Sequence, residues 1–263
     1  MQGVGGQSLN ECPELTARYD ALKRVTALRY GAGSQAMVFV LYEELLALRT
    51  ALLRHPGSIV LKAQIAALRR HIQGLYDRST FPRLAETPMV TIQTAPLLLE
   101  YSRSVFQRRY AAAARSIRPQ LVAVTEPRVE PLRPGRPYMF VVDDTRTLKV
   151  WNRPFHFGDL VFGRNRATVD GTPVAHPMLV PDRLRVLAAG EIILVGRGKP
   201  AAVIVNTKSG HFRPPPATAE AIRDVCREVL RLQDHDIDIF TLALPEGDRV
   251  ETAAAGTLNG RTP

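Results

Sequence analysis

The sequence predicts an α+β protein: an N-terminal α-helical bundle followed by a small antiparallel β-rich domain with one packed helix. Three observations predict it. Apolar residues recur three and four apart through the first half, prolines crowd residues 119–137, and short apolar or alternating runs follow.

Taken in order, Leu15, Tyr19, Leu22, Val25 and Leu28 mark a first helix that Gly31 and Gly33 should stop. Ser34 is placed to cap a second, carrying Met37, Leu41, Leu45, Leu48 and Leu52 up to His55-Pro56-Gly57. Ser58 can cap a third, in which Leu61, Ile65, Leu68, Ile72 and Leu75 form one stripe. A fourth is expected from near Pro96 through Leu99, Val105, Phe106, Tyr110 and Ile117, ended by Pro119. Residues 1–118 therefore read as a basic helical domain, and 119–137 as a Pro-rich connector. The β-rich domain, 138–245, begins with a hairpin of Tyr138–Val142 and Thr147–Trp151. A second hairpin joins Gly190–Val195 to Ala201–Val205. A helix over Ala217–Gln233 and a strand from Ile237 to Leu244 complete it, and 246–263 reads as a disordered tail.

With 263 residues, 45% of them hydrophobic, the chain can bury a core. It has no apolar run of membrane-spanning length and no secretion signal at its start, so the expected location is cytoplasmic, or outside by a signal-independent secretion route. Cys12 and Cys226 make neither a metal spacing nor a disulfide framework, and no metal site is expected. The formal charge of +10 is uneven, with +8 in residues 1–118 and +2 in the rest. Such a half-chain can attract an acidic protein or nucleic acid, with Arg103, Arg108, Arg109 and Arg115 as the expected contacts, or it can be a solvated helical surface.

Several separated blocks carry a resemblance. In order they are Phe140-Val141-Val142, Thr145 to Val150, His176, Ala188-Ala189-Gly190, Ser209-Gly210-His211-Phe212 with Pro214, and Asp236-Ile237-Asp238. The span from about Tyr138 to Leu244 resembles the C-terminal region of the plant calmodulin-binding IQ-motif-containing proteins and of related bacterial proteins, some toxin-like or effector-like. The family pattern has two serines after the histidine. Here Pro177 and Met178 stand there, so only His176 carries over. An acidic residue at Glu191 follows the bacterial pattern, and Phe106 to Tyr110 begins like an IQ motif without completing one.

The stretch NTKSGHFRPPP, residues 206–216, sits directly after a predicted strand. Its His211, with His176 and Glu191 near other strand ends, makes the expected catalytic set, since a rigid sheet can aim side chains from distant positions into one pocket. Ser209, Gly210, Arg213 and Arg146 are the expected ligand-binding residues. Gly210 would permit close backbone approach, and Arg213 offers a fork of donors for phosphate or carboxylate. Glu191 can instead pair with Arg146 or Arg185, and Ser209 can be a turn hydroxyl. The expected function is a toxin-like or effector-like enzyme, a transferase binding an anionic, nucleotide-type ligand. NAD is a possible cofactor through ADP-ribosyl transfer, by analogy alone. The alternative is a non-enzymatic module whose basic helices dock on an acidic protein or nucleic acid.

Overall fold

Two serines start the helical half where the sequence places them. The computed structural model of the chain describes residues 11–79, 89–92, 96–162 and 167–243; the expected tail, 246–263, lies outside these. Helix α1 (Glu11–Tyr30) ends at Gly31, whose φ of 90° suits glycine. Ser34 caps α2 (Gln35–Arg54) by accepting from Met37 N at 3.2 Å, and Ser58 caps α3 (Ile59–Tyr76) by accepting from Leu61 N at 3.3 Å. The α3 stripe is buried as expected. That of α1 is not. Tyr19 and Thr26 face inward, while Leu22, Val25 and Leu28 are exposed.

The expected fourth helix is corrected. Strand β1 (Met89–Ile92) pairs antiparallel with β2 (Leu98–Tyr101), and helices α4 (Arg103–Arg109) and α5 (Ala111–Ile117) follow, broken at Tyr110. The cause is a period-2 signal: Leu99 and Tyr101 are fully buried while Leu98 and Glu100 are less so, and Ser102 caps α4 through Val105 N. The Pro-rich stretch contains β3 (Leu121–Val124), an edge strand, where neighbouring prolines do least harm.

Both expected hairpins form. They are β4 (Pro137–Asp143) with β5 (Leu148–Trp151), and β8 (Arg185–Val195) with β9 (Ala202–Asn206). Between them lie α6 (Phe157–Phe162), the small pair β6 (Thr168–Val169) and β7 (Thr172–Pro173), and a 3-10 turn at His176–Leu179. Helix α7 (Ala219–Glu228) leads to β10 (Ile237–Phe240). That last strand runs parallel to β9, so the sheet is mixed rather than purely antiparallel. A helical crossover between β9 and β10 makes the parallel pairing possible. The result is an α+β protein in which a three-helix bundle precedes a mixed sheet domain.

Strand β8 is the axle: β4 pairs along it, while β2 pairs near its start and β9 near its end. One face of the sheet packs on α7 through Phe140, Ile192, Leu194 and Val205. The other face is divided. Ile193, Val195 and Ile204 pack under the bundle, whereas Met139, Val141 and Ala189 pack with α4, α5 and the 3-10 turn. By the period of two, Glu191 stands between Ala189 and Ile193 on this divided face, at the seam of the two cores. Among the described residues, no helix is long and apolar enough to cross a membrane.

The bundle is pinned by charge. Arg49 on α2 donates from Nε to Asp238 Oδ2 at 2.8 Å and from Nη2 to Asp238 Oδ1 at 2.7 Å, and Arg69 on α3 reaches the same carboxylate at 3.0 Å. Arg49 and Asp238 are both buried, so removing one partner strands the other's charge. Arg49→Ala should lower unfolding free energy by about 3–5 kcal/mol in urea denaturation. The joint replacement Arg49→Met with Asp238→Leu should recover much of that loss.

Candidate functional site

The turn after β9 is tied down at every residue up to Ser209. Asn206 Oδ1 accepts from Glu191 N at 3.3 Å and Lys208 N at 2.9 Å, and Thr207 N donates to Phe240 O at 3.0 Å. Ser209 Oγ accepts from Phe212 N at 3.3 Å and Ser209 O from Arg213 N at 2.7 Å, so this hydroxyl caps a turn. Arg213 is buried with φ 43°, and Phe212 enters the core. Gly210 is exposed, and a Cβ there would meet nothing within 4 Å. A close approach of backbone to backbone occurs at Gly190, whose added Cβ would lie 1.8 Å from Asn206 O.

Two histidines meet beside this turn. His176 is buried and its Nε2 lies 3.0 Å from Gly190 O; a carbonyl only accepts, so Nε2 carries the hydrogen. Burial pushes its value down to about 3, against the bond to Gly190 and helped by nearby His211. His211 Nε2 lies 3.0 Å from Tyr110 Oη, with the two rings edge to face at 5.6 Å. Burial, then Arg109, lowers it to about 4. Both rings are neutral at pH 7.

Glu191 joins a different group. It faces Asn206 directly across the β8–β9 ladder, with Lys208 beyond it and the phenols of Tyr42 and Tyr76 overhead. The phenols hydrogen-bond each other at 2.8 Å, and burial raises both well above the ordinary tyrosine value. The Glu191 residue keeps a partial opening to solvent, yet its Oε2 is buried without a hydrogen-bond partner. Asn206 Nδ2 is the same: it lies near Glu191 and the phenols but makes no bond of good geometry. Burial raises Glu191 to about 8, with Lys208 pulling the other way. Burial in turn lowers Lys208.

Comparison with protein-family models, curated proteins and solved structures finds no match. What the chain does must therefore be argued from this geometry.

Of the expected residues, His176 and His211 come together, and Glu191 sits one residue past Gly190. Among the described residues, neither histidine hydrogen-bonds Glu191. Glu191 pairs with neither expected arginine: Arg185 binds Glu100 at 2.8 Å and Arg146 approaches Glu228 at 4.0 Å. Arg146 lines a cleft of about 250 Å³ against α7, on the sheet face opposite Glu191. Among the described residues, no three His, Cys, Asp or Glu side chains cluster as metal ligands. Sequence reasoning missed Tyr42, Tyr76, Asn206 and Lys208. The last two lay inside the singled-out stretch, whereas a tyrosine in an apolar helical stripe reads as core.

These neutral groups pull stability in opposite directions with pH. The histidines, ordinarily near 6.5, stay unprotonated in the fold, so the unfolded state gains protons and stability falls as pH drops below about 6.5. Glu191, ordinarily near 4.5, stays protonated, so the unfolded state loses its proton and stability falls as pH rises from about 4.5 to 8. In urea titrations, His176→Gln should gain on wild type by up to about 2 kcal/mol as pH is lowered from 7 to 5. Glu191→Gln should gain on wild type as pH is raised from 5 to 8.

Proposed function

We propose that the chain is an enzyme of the toxin-like or effector-like kind that binds an anionic, nucleotide-type molecule at this seam and transfers or hydrolyses part of it. The observation that carries the reading is Glu191, a carboxyl with one buried, unpartnered oxygen, held protonated near neutrality beside the cationic Lys208. Such a group can give its proton to a leaving group and take one back, which is general acid–base chemistry. Neutral His211 shares a hydrogen bond with Tyr110 Oη beside the turn, while His176 spends its Nε2 on Gly190 and so positions the strand. ADP-ribosyl transfer from NAD would call on an ionised carboxylate to steady the sugar cation, and Glu191 is ionised above about pH 8. Acid-assisted transfer or hydrolysis fits neutral pH better. The resemblance over residues 138–244 supports the toxin-like class.

A screen of nucleotides, NAD and phosphorylated metabolites, read by thermal shift and turnover, tests this. One ligand should stabilise the wild type and be turned over, with Glu191→Gln losing roughly 100-fold or more in rate while folded. Unchanged turnover in both Glu191→Gln and His211→Ala would sink the reading.

A second reading rests on α4 and α5. Arg103, Arg108, Arg109 and Arg115 are exposed on these two short helices, which pack on the sheet rather than in the bundle. They would dock an acidic protein or nucleic acid without chemistry. Three phosphate contacts predict a roughly 40-fold loss of nucleic-acid affinity between 50 and 200 mM salt. A triple replacement of Arg108, Arg109 and Arg115 by alanine should flatten that dependence; salt-insensitive binding would count against docking.

A further inference from the structure

Two buried polar atoms at the seam, Glu191 Oε2 and Asn206 Nδ2, lack hydrogen-bond partners. They belong to residues directly opposed in the β8–β9 register, so both side chains rise from the same face of the sheet. Asn206 is fully buried and its Oδ1 is already occupied by two backbone N–H groups, which leaves Nδ2, close to the Glu191 carboxyl and the two phenols, without a bond of good geometry. Overhead, the bond between the Tyr42 and Tyr76 hydroxyls uses one of their two hydrogens. The second is a donor still to be placed. Lys208 brings positive charge from the turn side.

We infer that the seam holds an oxyanion, the phosphate or carboxylate of the ligand, between Asn206 Nδ2, the Glu191 carboxyl and Lys208 Nζ, against the Tyr42–Tyr76 hydroxyl pair. The inference rests on the proposed anionic ligand and names the group by which it is held. An amide N–H, a carboxylic O–H, a phenolic O–H and an ammonium are all donors, and a group made only of acceptors satisfies them together. Two of the walls come from α2 and α3, so the bundle is part of the site rather than a separate module.

The carboxyl must keep its proton to face an anion, and burial holds Glu191 protonated up to about pH 8. The groups facing it are Asn206 from β9, Lys208 from the turn, and Tyr42 and Tyr76 from the bundle; Met139, opposite it on β4, carries no charge. Deprotonation of Glu191 and of Lys208 both remove affinity. Oxyanion binding therefore weakens as pH rises.

The test uses the full chain with inorganic phosphate in one arm and acetate in another, read by thermal shift and calorimetry against chloride at equal ionic strength. Saturable binding of one anion at pH 6.5, about tenfold weaker at pH 9, is expected, and the arm that saturates tells phosphate from carboxylate. Lys208→Met and Asn206→Asp should each weaken it tenfold or more. The second keeps the Oδ1 acceptor that orders the turn, so the chain should still fold. Glu191→Gln retains a donor and should keep the binding while losing the step near pH 8, even as turnover falls roughly 100-fold or more. That variant separates the two readings: lost turnover with retained anion binding supports both, and anion binding without turnover of any ligand removes catalysis alone. Neither anion binding better than chloride, affinity rising with pH, or wild-type affinity in Lys208→Met and Asn206→Asp would overturn the oxyanion site.

Discussion

Two arginines on one carboxylate fix where the bundle sits. Asp238 lies on β10, the strand parallel to β9, and it is reached by Arg49 from α2 and Arg69 from α3. Arg49 also donates to His235 O at 2.7 Å, and Gln73 on α3 exchanges two hydrogen bonds with the backbone of Thr241. A buried ion pair is a poor source of net stability, because desolvation offsets much of the attraction. Its strength is geometric: a bidentate fork accepts few orientations. Apolar contacts under Leu45, Ile65 and Ile72 could slide by a fraction of a turn, but the fork cannot, and Tyr42 and Tyr76 are thereby held over Glu191.

Much of this architecture is legible locally. Ser34, Gly31 and Ser58 announce helix ends by capping chemistry, and the two hairpins are announced by apolar runs flanking turns. The misreading at residues 96–101 has a physical origin: three leucines in a row satisfy a helical stripe and a buried strand equally, and the vacant edge of β8 decides between them. The parallel placement of β10 is a long-range outcome with no local mark. The meeting of His176 with His211 was legible because each stands next to a strand end. The bundle's share was not, because Tyr42 and Tyr76 approach residues more than a hundred positions away, and no spacing encodes such a meeting.

The site gathers groups in forms that water would not favour. A protonated carboxyl and two buried polar atoms without a bond of good geometry share the seam where the sheet face is divided between two cores, and two neutral histidines form a separate pair beside the turn. Along α7, by contrast, Arg223, Arg227, Glu220 and Asp224 form a conventional surface network of paired charges.

Gly190 ties these parts to a single atom's absence. Its carbonyl receives His176, while the bare Cα lets Asn206 and Thr207 pass in contact with the strand. His176 and the Glu191–Asn206 pair are therefore referenced to the same point on β8. A methyl group there would delete none of these side chains; it would push Asn206 and Thr207 off the strand and so shift the origin from which His176, Glu191 and Asn206 are measured.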